Sequence, residues 1–103
     1  MSAVIYIQAK QNGSEILPLV KSAIEAEIAR LELASKMAAK RLTPYEKKYN
    51  VASEYFMVHL TAEDLDDGDD EYVSWAGEYE LKHRLETKLK ELRKIEYAHS
   101  DIP

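Results

Sequence analysis

An all-α fold, an antiparallel hairpin of two long helices with a short helix at the bend and a short N-terminal β-strand, follows from three observations on this sequence. Apolar residues recur every three or four positions from Ser14 to Tyr49, a second such seam runs from Asp70 to about Tyr97, and a stretch of turn-formers and acids separates the two. At the usual helical rise the first seam would span about 54 Å and the second about 42 Å. A stripe of that length cannot be buried without a second long element beside it. Two hairpins packed as a dimeric helical bundle would cover whatever face one hairpin leaves open.

The chain is expected to form one helical domain over residues 1–103, with a strand arm and turn at 1–13. Val4-Ile5-Tyr6-Ile7 is β-branched or aromatic, and Gln11-Asn12-Gly13 breaks the pattern, which predicts one short strand. No second strand signal is evident, so this strand is expected to pair with a symmetry mate or a partner protein, or to stay mobile. Asn12-Gly13-Ser14 matches a glycosylation sequon but reads more simply as the turn into the helix.

The long helix is predicted over 14–49, capped by Ser14. Its seam is Ile24, Ile28, Leu31, Ser35, Ala38, Leu42, Tyr45 and Tyr49, extended backwards through Leu17 and Val20. Thr43-Pro44-Tyr45-Glu46 predicts a kink at Pro44 or a short restart, because proline lacks the backbone donor and the four residues also read as a capping box. A short helix is expected at 53–60, an acidic loop at 61–69, the second long helix at 70–97 and a tail at 98–103. Tyr72, Trp75, Tyr79, Leu85, Leu89, Leu92 and Ile95 share one side of that last helix.

Charge favours the antiparallel arrangement. The net charge of −5 hides an acidic head: residues 49–81 carry ten carboxylates and no Lys or Arg, which leaves +5 for the rest of the chain. Folding back at the bend brings Lys36, Lys40, Arg41, Lys47 and Lys48 to the acidic start of the last helix. It also brings Lys88, Lys90, Arg93 and Lys94 to Glu25, Glu27 and Glu32. Such exposed pairs contribute little energy but favour one orientation.

Composition narrows the chemistry. The absence of cysteine removes disulfides, thiol catalysis and thiolate zinc sites. No apolar run reaches membrane-spanning length and no secretory signal is evident, so a cytoplasmic location is expected. An EF-hand register with Gly68 at the sixth loop position fails at Leu65 and at Ser74, where the closing bidentate glutamate belongs. Glu80-Leu81-Lys82-His83 and Glu96-Tyr97-Ala98-His99 have the Glu-x-x-His spacing of di-iron bundles. About 24 Å of helix would separate them, so surface side chains are the preferred reading. Neither a catalytic set nor a metal or cofactor site is expected. A ribbon-helix-helix regulator also opens with a strand and a helix, but only Gln8 and Lys10 could read DNA from this strand. A metal-binding helical bundle is the remaining alternative.

The distinctive stretch runs from Asp64 to Glu80, acids first and aromatics after. Tyr45, Tyr49, Tyr55, Phe56, Tyr72, Trp75 and Tyr79 form either an aromatic core closing the bend or a Tyr and Trp surface beside acids, as interaction patches have. Lys48-Tyr49-Asn50-Val51-Ala52-Ser53-Glu54-Tyr55-Phe56 resembles the Lys-Tyr-Gly-Met-x-Ser-x-x-Phe segment of small prokaryotic helical proteins. Asp69 to Tyr79 is similar to their Asp-x-x-x-x-x-Trp-Ala-x-x-Tyr segment. Such proteins often appear beside toxin-like proteins, so the resemblance, which covers roughly residues 15–95, implies an antitoxin or similar partner-binding role. The expected function is a non-catalytic protein–protein interaction module that meets a basic partner. Asp66, Asp67, Asp69, Asp70 and Glu71 would face that partner, with Tyr72, Trp75 and Tyr79 beside them, and the chain itself is expected to be a homodimer.

Overall fold

The computed structural model describes residues 3–7 and 13–99. In chain order it contains β1 (Ala3–Ile7), α1 (Gly13–Tyr49), α2 (Ser53–His59), a single 3-10 turn (Ala62–Asp64), α3 (Gly68–Arg93) and β2 (Ile95–His99). The expected turn at 11–12 and the end of the expected tail, 100–103, lie outside the described residues. The chain divides into two compact units, one of residues 33–85 and one of residues 1–32 with 86–103.

The seam predicted for α1 is the face that α1 buries. Leu31, Ala38 and Leu42 are buried and Leu17, Val20, Ile24, Ile28, Ser35, Tyr45 and Tyr49 are half-buried, as helical spacing requires. The helix neither stops nor restarts at Pro44. Pro44 leaves the carbonyl of Lys40 without its helical donor. One residue earlier, the Thr43 hydroxyl donates back to the carbonyl of Ala39 at 3.2 Å. Neighbouring turns on both sides hold the helix through that single lost bond.

Unit 33–85 begins with the end of α1, where Asn50 adopts a left-handed conformation (φ 55°) and the Val51 amide donates to the carbonyl of Glu46 at 3.2 Å. This is a Schellman closure, and asparagine is the residue after glycine that tolerates its left-handed position best. The chain then enters α2. No side chain of the preceding loop caps that helix, and Glu46, one turn before the end of α1, does so across the bend. Its carboxylate accepts from the Ser53 amide at 3.1 Å and from the Ser53 hydroxyl at 2.8 Å. Thr61 and Asp64 cap the 3-10 turn reciprocally, and Gly68, at φ 57°, turns the chain into α3.

The core of this unit is aromatic. Leu42, Phe56, Leu65 and Trp75 are buried together, with Tyr45, Tyr49, Val51, Met57, Leu60, Tyr72, Ala76 and Tyr79 packed around them. Phe56 stacks on Trp75 at 3.8 Å and 1°, and the rings of Tyr45 and Tyr49 lie nearly parallel to the indole at 5.4 and 5.6 Å. Of the two readings of the aromatic residues, the core that closes the bend is the arrangement found for Tyr45, Tyr49, Phe56, Tyr72, Trp75 and Tyr79. Tyr55 stays half-exposed against His59. Within this unit α1 and α3 run antiparallel, since Arg41 meets Glu78 while Lys48, further along α1, meets the earlier Glu71.

In unit 1–32 with 86–103, α1 and α3 bury Leu31 and Leu89, and Arg93 meets Glu32 at 3.3 Å, one of the opposite-charge pairings predicted from sequence. The expected end of the last helix needs correction. Helix α3 stops at Arg93 instead of about 97, and residues 95–99 form β2, which pairs parallel with β1 in the register Val4 to Glu96 and Tyr6 to Ala98. Ile95 continues the Leu85, Leu89, Leu92 spacing, which made the segment read as helix. Yet Ile95-Glu96-Tyr97-Ala98 also alternates, and a ladder partner decides such ambiguous runs. The N-terminal strand is therefore paired within its own chain. No helix among the described residues is long and apolar enough to cross a membrane.

Gly77 sits inside α3 with open space where a Cβ would project. Exchanging Gly77→Ala should therefore raise stability by about 0.5–1 kcal/mol, the ordinary helix-propensity difference. Urea denaturation would measure it, and an unchanged or lowered midpoint would show that the space beside Gly77 does not accept a methyl group.

Candidate functional site

The acidic head is built on the turn between Leu65 and the first turn of α3, and its central group is the buried carboxylate of Glu71. One turn before Trp75 on the same face of α3, Glu71 points where the core begins. It accepts from the Lys48 ammonium at 2.8 Å, from the Tyr49 hydroxyl and from the Asp67 amide at 3.3 Å. The Tyr49 hydroxyl in turn accepts from the Asp66 amide at 2.8 Å. Every group in this cluster is therefore partnered, the condition under which a buried charge is tolerated.

The cluster shifts its members' protonation. Burial pushes the Glu71 carboxyl up, but hydrogen bonds from Lys48, Tyr49 and the Asp67 amide outweigh it and hold the group below the usual carboxylate range. Burial, then the bond donated to Glu71, raises the Tyr49 hydroxyl. The bond to Glu71 keeps Lys48 charged well above its ordinary range. Lys48 also lies 3.7 Å from Asp66 and 3.8 Å from Asp67, so one lysine is shared by three carboxylates.

The eight residues that sequence assigned to partner binding separate into two groups. Asp66, Asp67, Asp69 and Asp70 are exposed. Trp75 and Glu71 are withdrawn from the surface, at 0% and 8% exposure, and Tyr72 and Tyr79 are half-buried against the core. Trp75 and Glu71 thus hold the head together and are not surface anchors, a correction that follows from helical spacing. Residues 71, 75 and 79 recur at four-residue steps, so Glu71 shares the buried stripe of the aromatic residues and not the solvated face of its acidic neighbours. That periodicity was the available signal. Ser53 and Glu46 had none, because their roles depend on a contact across the bend.

A shallow groove of about 530 Å³ lies beside the head between Arg41, Pro44, Tyr45, Ser74 and Glu78. Its two charged side chains pair with each other at 2.8 Å. Among the described residues, no three His, Asp or Glu side chains are grouped to hold a metal ion. Glu96 is exposed on β2, and Glu80 and His83 are exposed on α3. Comparison with family models, with curated proteins and with solved structures finds no match to this chain.

Because the folded Glu71 carboxyl is held below its unfolded range, its stabilising contribution is complete above the unfolded value, near pH 4.3, and is lost as pH falls through the lower folded value. Glu71→Gln should lower stability at pH 7 and flatten its decline between pH 6 and pH 3. Denaturant midpoints across that range would read both effects; parallel declines in the two proteins would assign the acid sensitivity to other carboxylates.

Proposed function

We propose that this chain is a non-catalytic interaction protein whose acidic head binds a basic protein, as the antitoxin member of a toxin–antitoxin pair does. The observation that carries this reading is the imbalance of charge on the surface of the head. Glu54, Glu63, Asp69 and Asp70 are exposed and make no ion pair among the described residues, while Asp66 and Asp67 share Lys48 with the buried Glu71. Uncompensated like charges held close together repel, and a cationic surface relieves that repulsion on binding. Asp69 and Asp70 also lie in the first turn of α3, where the helix dipole favours them. The dipole accounts for two acids and leaves the rest of the patch. A nuclease that acts on RNA presents a basic surface of the required sign.

The specificity of such a contact would come from the placement of charges on a rigid head. The fully partnered Glu71 cluster and the stacked core beneath it keep the Leu65-to-Asp70 turn in one arrangement, which lowers the ordering cost at binding. Tyr72 and Tyr79, half-buried, contribute their exposed edges at the rim. A DNA-binding reading has less support. The described strand carries Val4 and Tyr6 on its exposed face, with no basic or amide side chain between Ala3 and Ile7.

Replacing Asp66, Asp67, Asp69 and Asp70 together by Asn tests the reading without touching Glu71. Affinity capture from the native host with the wild-type chain should retain a basic protein. With that protein as probe, the fourfold variant should associate about tenfold more slowly at low salt, with a flatter salt dependence and its helical fold retained by circular dichroism. Equal association rates, or capture of no basic protein, would overturn it.

A further inference from the structure

We infer that the free edge of β1 is a self-association surface, on which a second copy of this chain adds its own β1 antiparallel about a two-fold axis at Ile5. The surface lies in unit 1–32 with 86–103, apart from the acidic head in sequence and in unit, so the inference stands independently of the proposed function. The sheet contains two strands in the order β1-β2, which leaves one edge of β1 without a strand neighbour among the described residues. In a parallel pair alternate residues direct their N–H and C=O groups away from the partner strand, so that edge presents a row of hydrogen-bonding groups.

Two-stranded parallel sheets are rarely left in this state, because parallel pairing is normally buried and two strands are marginal by themselves. Natural edges are usually guarded by a charge, a proline or a bulge. Ala3–Ile7 has none of the first two: its five residues are all apolar or aromatic. Strand β2 differs, since Glu96 lies on it and is exposed. Of the two outer edges, that of β1 is the one without a guard.

The occupant is argued from register. Val4 and Tyr6 occupy one face of β1 and are exposed at 46% and 71%, while Ile5, on the other face, is half-buried. An antiparallel mate centred on Ile5 sets Val4 opposite Tyr6 of the second copy, and by symmetry Tyr6 opposite its Val4. A β-branched residue against an aromatic ring is a favourable cross-strand pair, and the two-fold axis forms it twice. The sequence of β1 is therefore complementary to itself in that register, and the exposed side chains are the ones it covers. The product is a four-stranded sheet in the order β2-β1-β1-β2.

The experiment uses the purified full chain. Wild type should sediment as a dimer at micromolar concentration. In Val4→Lys/Tyr6→Lys each cross-strand pair joins two cations, and dimer affinity should fall tenfold or more. In Val4→Lys/Tyr6→Glu each pair joins opposite charges, and the dimer should persist. Both variants place the same lysine beside Glu96 within the chain and remove the same apolar surface, and they differ in the charge at position 6, which sets the sign met across the axis. Because the chain has no cysteine, single substitutions also read the register. Ile5→Cys should form an intermolecular disulfide readily, Val4→Cys and Tyr6→Cys poorly when alone, and a mixture of the last two readily, since directly opposed positions approach closer than diagonal ones. A wild-type monomer, a dimer insensitive to both double substitutions, or equal cross-linking at all three positions would overturn the inference.

Discussion

Trp75 is the constraint on which the unit of residues 33–85 depends. Its ring is fully buried against Phe56, Tyr45 and Tyr49, and its indole N–H must find an acceptor there or cost the unit the desolvation of a polar group. It donates to the Ser53 hydroxyl at 2.9 Å, and that hydroxyl donates to the Glu46 carboxylate at 2.8 Å. One chain of hydrogen bonds thus ties α3 to the first residue of α2 and α2 to the last turn of α1. The same carboxylate supplies the cap that the loop before α2 lacks. Satisfying the indole and starting the short helix are a single structural event.

Around that chain the head resolves two opposed demands. Ten carboxylates within 33 consecutive positions disfavour compaction, yet the turn before α3 must close over an aromatic core. The chain meets both by burying one of the ten. Glu71 takes Lys48, Tyr49 and the Asp67 amide as partners and so pins the turn from inside, while its neighbours remain in water. Lys48 lies 5.3 Å from the centre of the Tyr49 ring as well, which places the cation shared by three carboxylates over an aromatic face. The result is a negative surface over an aromatic core, with one buried carboxylate tying the turn to that core.

The other unit is organised by backbone instead of side chains. Strand β2 pairs with the beginning of the chain, so residues 3–7 and 95–99 depend on each other for their conformation. Neither segment has more than five residues in the ladder, and the exposed Val4 and Tyr6 leave one of its faces uncovered. A short parallel ribbon of this kind is a surface as much as a core.

The sequence by itself determined the two long helices and which side of each is buried, because a repeat of 3.6 residues is a property of the chain alone. Every seam residue named on α1, from Leu17 to Tyr49, is buried or half-buried. It also determined that the bend would be aromatic and the head acidic, since both are matters of composition, and the described strand over residues 3–7 lies within the expected arm. Tertiary structure decided the rest. Residues 95–99 are periodic enough for a helix and alternating enough for a strand, and only the presence of β1 beside them selects the strand. Pro44 breaks a local rule inside a helix that packing holds on both sides. Glu71 reads as one more solvated acid until Lys48 and Tyr49, more than twenty positions earlier, are brought against it. Local pattern specifies direction along an element, whereas the partner that a buried polar group finds depends on which distant residue the fold delivers, and no spacing along the chain encodes that.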